Sequence, residues 1–280
     1  MKSKDLHNFI ATELQDLYPE NEAKNISSML LEALFGIDPT ALIVDQEITN
    51  TDKSEKKLND AIAQLKRHEP IQYVLGQAHF YDRDFMVNPK VLIPRRETEE
   101  LVHLILQDHP NFSGKILDIG TGSGCIPITL SLELPQAVVA SIDISTEAIN
   151  VAKQNANALN ANVSFQEMNV LSASAFPDKY DIILSNPPYV MEKEKKKMQE
   201  NVLDHEPHLA LFVEDDDPLI FYLTIIKKAA ESLNKNGMLY FEINEQFGSE
   251  VASEMEHNGF QTVVIIKDMQ GKDRMVKGHI

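Results

Sequence analysis

The chain has 280 residues and a formal net charge of −17 at pH 7, with 43% hydrophobic and 25% charged residues, a composition typical of a globular protein that can bury a core. The acidic charge counts against a protein that binds duplex nucleic acid through a basic face. The sequence contains no run of about 18 apolar residues, so no membrane span is predicted. The single cysteine, Cys125, excludes an intrachain disulfide framework and a Cys-rich zinc site.

The N-terminal region, residues 1–74, predicts a small bundle of helices. Leucine and isoleucine recur at helical spacing in its first 34 residues, and a third candidate helix runs from about Ser54 to Arg67. Such helices bury one face against each other. The first residues carry no long apolar stretch after their lysines, so we expect no secretory signal and a cytoplasmic location.

The next segment, residues 75–95, predicts a β-hairpin that links two domains. Two aromatic or β-branched runs flank a polar tip at Asp82, Arg83 and Asp84. Residues 96–280 then form the second predicted domain. A helix is expected from Glu97 to Leu106.

Strand and helix patterns alternate from Lys115 onward. The predicted strands are KILDIG, AVVASID, NVSFQEMNV, YDIILSN, GMLYFEI and FQTVVIIKDM, with helices between most of them, such as Thr146–Leu159 and Pro218–Leu233. This alternation predicts an α/β fold, a mostly parallel sheet with helices on both faces. Ligands of such sheets bind beyond the carboxyl ends of the strands.

The first of these strands runs into a glycine-rich loop, DIGTGSG. Alternate glycines allow a sharp turn and a close approach to a ligand, although such loops also serve strand-to-helix packing. A dinucleotide site would require a third glycine at position 125, where this chain has Cys125. The candidate cofactor-binding residues of the loop are Gly120, Thr121, Gly122, Ser123 and Gly124.

The tips of the next two strands also carry ligand-type residues. Asp143 is placed to accept hydrogen bonds from two ribose hydroxyls, or alternatively to cap the helix that begins near Thr146. Asn169 and Val170 follow the third strand and form a plausible wall for an adenine ring. The role of Asp143 is shared by dinucleotide enzymes and class I methyltransferases. Together with the fourth strand, which ends in SNPPY, these tips carry ligand-type residues in an order that is much less expected by chance than any one of them.

The fourth strand ends in the sequence SNPPY. Proline fixes its own φ and pushes the preceding residue into extended geometry, so Asn186 is held stiffly and Tyr189 follows at a fixed distance. An ordinary turn is the alternative, because Asn-Pro is a common turn signal.

Six segments between residues 67 and 276 resemble the HemK/PrmC family of peptide chain release factor glutamine methyltransferases. They are RHEPIQYVLG (67–76), FMVNPKVLIPRRETEELV (85–102), ILDIGTGSGCI (116–126), YDIILSNPPYV (180–190), HEPHLAL (205–211) and DMQGKDRMV (268–276).

The resemblance implies a class I S-adenosylmethionine-dependent methyltransferase with a mixed seven-stranded sheet and an N-terminal helical domain that recognises substrate. It implies that Gly120, Thr121 and Gly122 line the methionine part of the cofactor, that Asp143 holds its ribose and that Asn169 and Val170 line its adenine. Asn186 would contact cofactor and substrate, and Pro187, Pro188 and Tyr189 the substrate. An amide nitrogen is a poor nucleophile, and two acceptors aimed at its hydrogens would localise its lone pair. The side-chain oxygen of Asn186 and the carbonyl of Pro187 are suitable acceptors, and Tyr189 can pack flat on the amide.

Two departures from the family pattern concern detail. Asn169 stands where the family has an acidic residue, and FVEDDDPL (212–219) replaces a glycine-containing stretch. The expected reaction is methylation of the side-chain amide of the glutamine in the Gly-Gly-Gln motif of release factors. We expect no metal, no direct nucleic-acid or membrane partner, and a monomer.

Four alternatives remain at this point. A ribosomal-protein glutamine methyltransferase shares NPPY, and so does an adenine-specific DNA methyltransferase, which the acidic charge disfavours. A nicotinamide oxidoreductase conflicts with the glycine spacing. A non-catalytic binding module would predict damaged motifs, yet the motif residues are intact.

Overall fold

The computed structural model describes residues 2–49 and 51–280 and divides into two compact units. One comprises Met1–Gln77 with Gln199–His205, and the other comprises Ala78–Met198 with Glu206–Ile280. The helices in chain order are α1 (Ser3–Leu14), α2 (Glu20–Phe35), α3 (Pro39–Ile43), α4 (Asp52–Leu65), α5 (Ile71–Leu75), α6 (Arg96–Asp108), α7 (Cys125–Glu133), α8 (Thr146–Leu159), α9 (Glu200–His205), α10 (His208–Leu211), α11 (Ile220–Ser232) and α12 (Gly248–His257). The strands are β1 (Gln77–Phe80), β2 (Arg83–Met86), β3 (Lys115–Ile119), β4 (Val138–Asp143), β5 (Val163–Glu167), β6 (Tyr180–Ser185), β7 (Val190–Met191), β8 (Phe212–Val213), β9 (Leu233–Glu242), β10 (Gln261–Lys267) and β11 (Asp273–His279).

The first unit is helical. Its apolar core is formed by the buried faces of α1, α2 and α4, which include Ile10, Leu30 and Leu65. Thr51 caps α4 by accepting a hydrogen bond from the Ser54 N–H group, which satisfies an amide that the helix itself leaves free. The distant helix α9 belongs to this unit: the His205 ring contacts the Arg67 carbonyl at 3.0 Å.

The second unit is built around a seven-stranded sheet with the order β10-β11-β9-β6-β3-β4-β5. Strands β9, β6, β3, β4 and β5 are parallel, whereas β11 runs antiparallel to both of its neighbours. Successive residues of β6 point to opposite faces of the sheet. Ile183 packs into one apolar core, and Ile182 and Leu184 pack into the other. The predicted α/β class with a mixed seven-stranded sheet is confirmed.

The sequence patterns missed one strand of the seven-stranded sheet and the two short strands β7 and β8, and they misplaced one turn. DRMVKGH forms β11, which pairs with β9 and β10 although its charged residues, its glycine and its histidine give it a weak strand pattern. The hairpin of β1 and β2 turns at Tyr81 and Asp82, both with positive φ, so Arg83 and Asp84 lie inside β2 and not at the tip. Two adjacent left-handed residues match the twist of a tight hairpin, and the composition alone did not mark Tyr81 for that role.

The parallel strands bring their carboxyl ends to one edge of the sheet. Ile119, Asp143 and Ser185 end β3, β4 and β6 there, and Glu242 ends β9. This edge therefore collects the loops that follow each strand. Within residues 2–49 and 51–280, no helix combines the length and the apolar character that a bilayer crossing requires.

Candidate active site

A cavity of about 440 Å³ opens at the carboxyl edge of the sheet. It lies entirely in the second unit, and its volume is that of a typical small-molecule site. Most of the predicted site residues line it, namely Gly120, Thr121, Gly122, Ser123, Asp143, Asn169, Val170, Asn186, Pro187 and Pro188. Gly124 and Tyr189 do not line it. We call the part formed by Gly120–Ser123, Asp143 and Asn169–Val170 the glycine-loop end, and the part formed by residues 186–188, with Tyr189 behind them, the NPPY end.

The glycine loop adopts conformations that favour glycine. Gly120 and Gly122 have φ values of +92° and +53°. A Cβ atom added to Gly120 would lie 3.6 Å from the main-chain oxygen of Asn186, so the two ends of the cavity meet at this glycine. The Asn155 side chain fixes the loop from behind, because it donates to the Ser123 carbonyl and contacts both main-chain groups of Met86.

Gly124 serves packing. Its φ is +82°, and a Cβ atom there would come within 2.8 Å of the Ile128 Cδ1 atom and 3.0 Å of the Ala152 Cβ atom. These contacts join the start of α7 to α8. The assignment of Gly124 to cofactor binding stays a prediction, whereas its steric role is visible.

Asp143 is held by main-chain amides. Its carboxylate accepts hydrogen bonds from the N–H groups of Gly122 at 3.0 Å and Ser145 at 2.8 Å. The N-cap of α8 is Ser145, whose hydroxyl accepts from Ala148, so the interpretation of Asp143 as the helix cap is wrong. Burial raises the pKa of Asp143, and its amide donors partly oppose this rise.

A second buried carboxyl beneath the loop was not singled out by the sequence reasoning. Asp118 is fully buried, and its Oδ2 atom accepts from the Ser141 hydroxyl at 2.6 Å. The Ser141 hydroxyl in turn lies 2.6 Å from that of Thr121. Asp118 Oδ1 has no hydrogen-bond partner in the protein. Burial raises the pKa of Asp118 to about 8. An aspartate inside an apolar strand is the signal that could have drawn attention to it.

Asn169 and Val170 form a less specialised wall. The Asn169 side-chain oxygen accepts from the Leu171 N–H group at 2.9 Å, so the amide shapes its own turn. Val170 is buried at the edge of the apolar core. Both residues line the cavity.

At the NPPY end, Asn186 belongs to a chain of polar contacts. Its Nδ2 group donates to Thr98 Oγ1 at 3.1 Å, and Thr98 Oγ1 donates to Glu242 Oε2 at 2.7 Å. Tyr189 donates its hydroxyl to Glu242 Oε1 at 3.2 Å. Glu242 and Thr98 are both buried. Burial raises the pKa of Glu242, and the Thr98 hydroxyl and the Arg274 charge oppose this rise.

Tyr189 closes this end from the side of the core. Burial, followed by the nearby Glu242 charge, raises the pKa of Tyr189, so its hydroxyl stays protonated. Its main-chain oxygen accepts from the Asn244 side chain at 3.2 Å. Thr98, Glu242 and Asn244 were not singled out as site residues by the sequence reasoning, because their partners are remote in the chain.

Two of the family-like segments meet at a buried glutamate. Glu206, from HEPHLAL, accepts from Arg95 at 2.5 Å and from the main-chain N–H of Ile93 at 3.3 Å. Arg95 and Ile93 belong to the segment LIPRRETEELV and line the cavity. The pair therefore fixes the rim of the cavity between α6 and α10.

Cys125 is a small buried residue beside the loop. Burial raises the pKa of its thiol to about 12, which suppresses the nucleophilic thiolate. Among residues 2–49 and 51–280, no group of three or more histidine, cysteine, aspartate or glutamate side chains is placed to hold a metal ion.

Comparison with known proteins gives concordant results for both units. Residues 97–209 match the family model of the methyltransferase small domain, and residues 5–76 match that of the PrmC N-terminal domain. The chain is also similar in fold to a methyltransferase from Pyrococcus furiosus, with a TM-score of 0.52 at 16% identity over 82% of this chain and 98% of that one.

Two curated relatives span nearly the whole sequence. A release factor glutamine methyltransferase of Bacteroides thetaiotaomicron is 45% identical over 269 residues, which cover 96% of each chain. Its counterpart from Flavobacterium psychrophilum is 42% identical over 268 residues, 94% of each chain. Similarity of this extent shows that the chain belongs to the release factor glutamine methyltransferase family.

Proposed function

We propose that this protein transfers a methyl group from S-adenosylmethionine to the side-chain amide nitrogen of the glutamine in the Gly-Gly-Gln motif of peptide chain release factors. One observation carries the proposal: a single cavity joins the glycine-loop end to the NPPY end, and the two meet where Gly120 approaches the Asn186 main-chain oxygen. A donor and an acceptor of a methyl group bound at these ends would be in contact.

The glycine-loop end has the chemistry to hold the cofactor. The glycines expose main-chain amides without a Cβ atom, and Asp143 presents a carboxylate suited to paired ribose hydroxyls. Ser123 also lines the cavity and can offer its hydroxyl to a polar ligand. Asn169 and Val170 would flank the adenine. S-adenosylmethionine, when bound, supplies an electrophilic methyl group on a sulfonium sulfur.

The NPPY end orients the nitrogen that accepts the methyl group. We assign Asn186 Oδ1 and the Pro187 carbonyl oxygen as acceptors for the two hydrogens of the glutamine amide, so that its lone pair points towards the methyl donor. Pro187 and Pro188 keep these acceptors rigid, which lowers the cost of arranging them during the reaction. Tyr189, held through its hydroxyl by Glu242, would pack on the amide plane and exclude water.

The helical unit is the proposed site of additional contacts with the protein substrate. A glutamine side chain offers little surface, and discrimination among proteins requires contacts outside the cavity. A comparison of intact release factor with a short Gly-Gly-Gln peptide tests this idea. The peptide should show a higher KM with a similar kcat. Equal KM values would remove any role for a second surface.

The proposal also covers the oligomeric state, the cellular location and the partners of the protein. We propose that it acts as a monomer in the cytoplasm, and that it needs neither nucleic acid nor a membrane for its reaction. The net charge of −17 supports the absence of a nucleic-acid partner. Gel filtration with light scattering, with and without release factor, measures the oligomeric state directly.

Labelled methyl transfer is the test of the proposed function. The acceptors are intact release factor, its glutamine-to-alanine variant, a ribosomal protein substrate of related enzymes and duplex DNA. Label on intact release factor alone is the expected result. Label on the ribosomal protein or on DNA, or no label while cofactor still binds, would overturn the proposed substrate.

A further inference from the structure

The register of the sheet brings Asn186 next to a buried glutamate. Strands β6 and β9 are parallel, and Ser185 pairs with Phe241. The next residues, Asn186 and Glu242, therefore emerge side by side at the carboxyl edge. Glu242 is only 1% exposed. A carboxyl group in this position requires hydrogen-bond donors, because burial without them is unfavourable.

Two hydroxyl groups supply those donors. Thr98, from the first turn of α6, donates to Glu242 Oε2, and Tyr189 donates to Oε1. In this arrangement both Glu242 oxygens act as acceptors, and the Thr98 and Tyr189 hydroxyls and the Arg274 charge oppose the rise in its pKa that burial causes. A carboxylate accepts hydrogen bonds and donates none. The Thr98 hydrogen therefore points to Glu242, and only the lone pairs of the Thr98 oxygen remain for Asn186.

This sequence of contacts selects one of the two orientations of the Asn186 amide. Oxygen and NH₂ groups have nearly the same shape, so packing does not distinguish them. Since the Thr98 oxygen is an acceptor towards Asn186, the NH₂ group must face Thr98 at 3.1 Å. Oδ1 is then left on the opposite side of the amide, and Asn186 lines the cavity.

We propose that Thr98 and Glu242 are positioning residues that fix the direction of the Asn186 amide, so that Oδ1 and not NH₂ is presented to the amide of the substrate. The inference rests on the proposed function and deepens it. In the reversed orientation the Asn186 NH₂ group would oppose the hydrogens of the substrate amide. Because Glu242 accepts from Thr98, Thr98 must accept from Asn186, and this decides whether the oxygen or the NH₂ group of Asn186 meets the substrate.

Substitution of Thr98 separates hydrogen bonding from packing. Thr98→Val keeps the shape of the side chain and removes the hydroxyl, whereas Thr98→Ser keeps the hydroxyl. We expect Thr98→Val to lower kcat by about 10–100-fold, as small errors in the positioning of reacting groups do. Thr98→Ser should recover most of that loss. The dissociation constant for cofactor, measured by calorimetry, should change by less than about threefold in both variants.

A double-mutant cycle distinguishes positioning from a structural contribution. In an Asn186→Ala background no amide remains to be oriented, so Thr98→Val should cause no further loss of kcat. A purely structural role for Thr98 would reduce kcat again in that background. Glu242→Gln should likewise lower kcat, because the glutamine NH₂ group can donate to Thr98 and reverse the chain. Its effect should not add to that of Thr98→Val.

A spectroscopic measurement keeps this inference separate from the choice of substrate. The side-chain NH₂ signal of Asn186, identified by its absence in Asn186→Ala, reports the hydrogen bond to Thr98 in the protein without any acceptor. It should shift in Thr98→Val and return in Thr98→Ser. An unshifted signal, or unchanged kcat in Thr98→Val, would overturn the inference. If wild-type protein transfers no methyl group to release factor while this signal behaves as expected, the proposed function fails and the orientation stands.

Discussion

The two ends of the cavity are built in different ways. At the glycine-loop end, contacts join neighbouring parts of one strand-helix-strand unit: Gly122 and Asp143 are 21 residues apart in the chain, and Asn169 bonds its own turn. At the NPPY end, Asn186 and Thr98 are 88 residues apart, and Thr98 and Glu242 are 144 apart. Apart from the Asn155–Met86 hydrogen bonds, which span 69 residues, the glycine-loop end is thus formed by local contacts, whereas the NPPY end exists only in the folded sheet.

This difference corresponds to two separate proposed roles, cofactor binding at the glycine-loop end and orientation of the substrate amide at the NPPY end. The glycine-loop end uses main-chain amides and a strand-tip carboxylate, which any chain with this local sequence can present. At the NPPY end, the buried Glu242 lies behind the Asn186 amide. The direction of the hydrogen bonds between them depends on the correct packing of β6, β9 and α6. We therefore expect substitutions at the NPPY end to affect kcat and substitutions at the glycine-loop end to affect cofactor affinity or stability. The following predictions test that separation.

The largest expected effect is that of Asn186→Ala. Loss of a preorganised hydrogen-bonding group in an active site lowers kcat by about 10²–10³-fold. Steady-state transfer to release factor measures this change, and calorimetry with cofactor measures binding. The surface variant Asn157→Ala on α8 is the control and should retain full activity. If Asn186→Ala lowered only the affinity for cofactor, Asn186 would act in cofactor binding and not in orienting the substrate amide.

Gly124→Ala should act on stability. The new Cβ atom would lie 2.8 Å from Ile128 and 3.0 Å from Ala152 in a backbone with φ of +82°. Gly259→Ala is the matched control, because its φ is +94° and nothing lies within 4 Å of the added atom. Urea unfolding should show a loss for Gly124→Ala that is about 1–3 kcal/mol greater than for the control, the usual effect of overpacking. Equal losses would leave only backbone strain as the cause.

The contrast between these residues also shows what the sequence could predict. The order of strand tips from Gly120 to Asn186 follows from strand-helix alternation, and the cavity contains most of the residues selected on that basis. Thr98 and Glu242 could not be selected, since only the register Ser185↔Phe241 and the approach of α6 bring them together. Strand β11 was missed for the same reason, because its pairing partners compensate for a weak local pattern. Gly124 shows the reverse case, in which a motif position serves packing.

Asp143→Asn should weaken cofactor binding while leaving the NPPY end intact. A neutral amide accepts more weakly than a carboxylate, and its NH₂ group would face one of the donors from Gly122 or Ser145. We expect the dissociation constant of the cofactor to rise on the order of 10–30-fold, with kcat at saturating cofactor little changed. Calorimetry and kinetics at several cofactor concentrations test both parts. A fall in kcat at saturation would break the proposed separation of the two ends.

Asp118 makes the ligand-free stability of the glycine-loop end depend on pH. Burial raises the pKa of this carboxyl from 3.8 to about 8, so between these values the folded protein holds a proton that the unfolded chain has released. The free energy of unfolding should therefore fall as pH rises through this window, by about 1.4 kcal/mol from pH 6 to pH 7 for one proton. The Asp118→Asn variant has no carboxyl group to titrate at this position. Its free energy of unfolding relative to that of the wild type should therefore rise by the same amount from pH 6 to pH 7. The two proteins are compared by urea unfolding without cofactor at both pH values. A constant difference between them would mean that Asp118 is already ionised in the fold, and that the unpartnered oxygen beneath the loop carries a full charge.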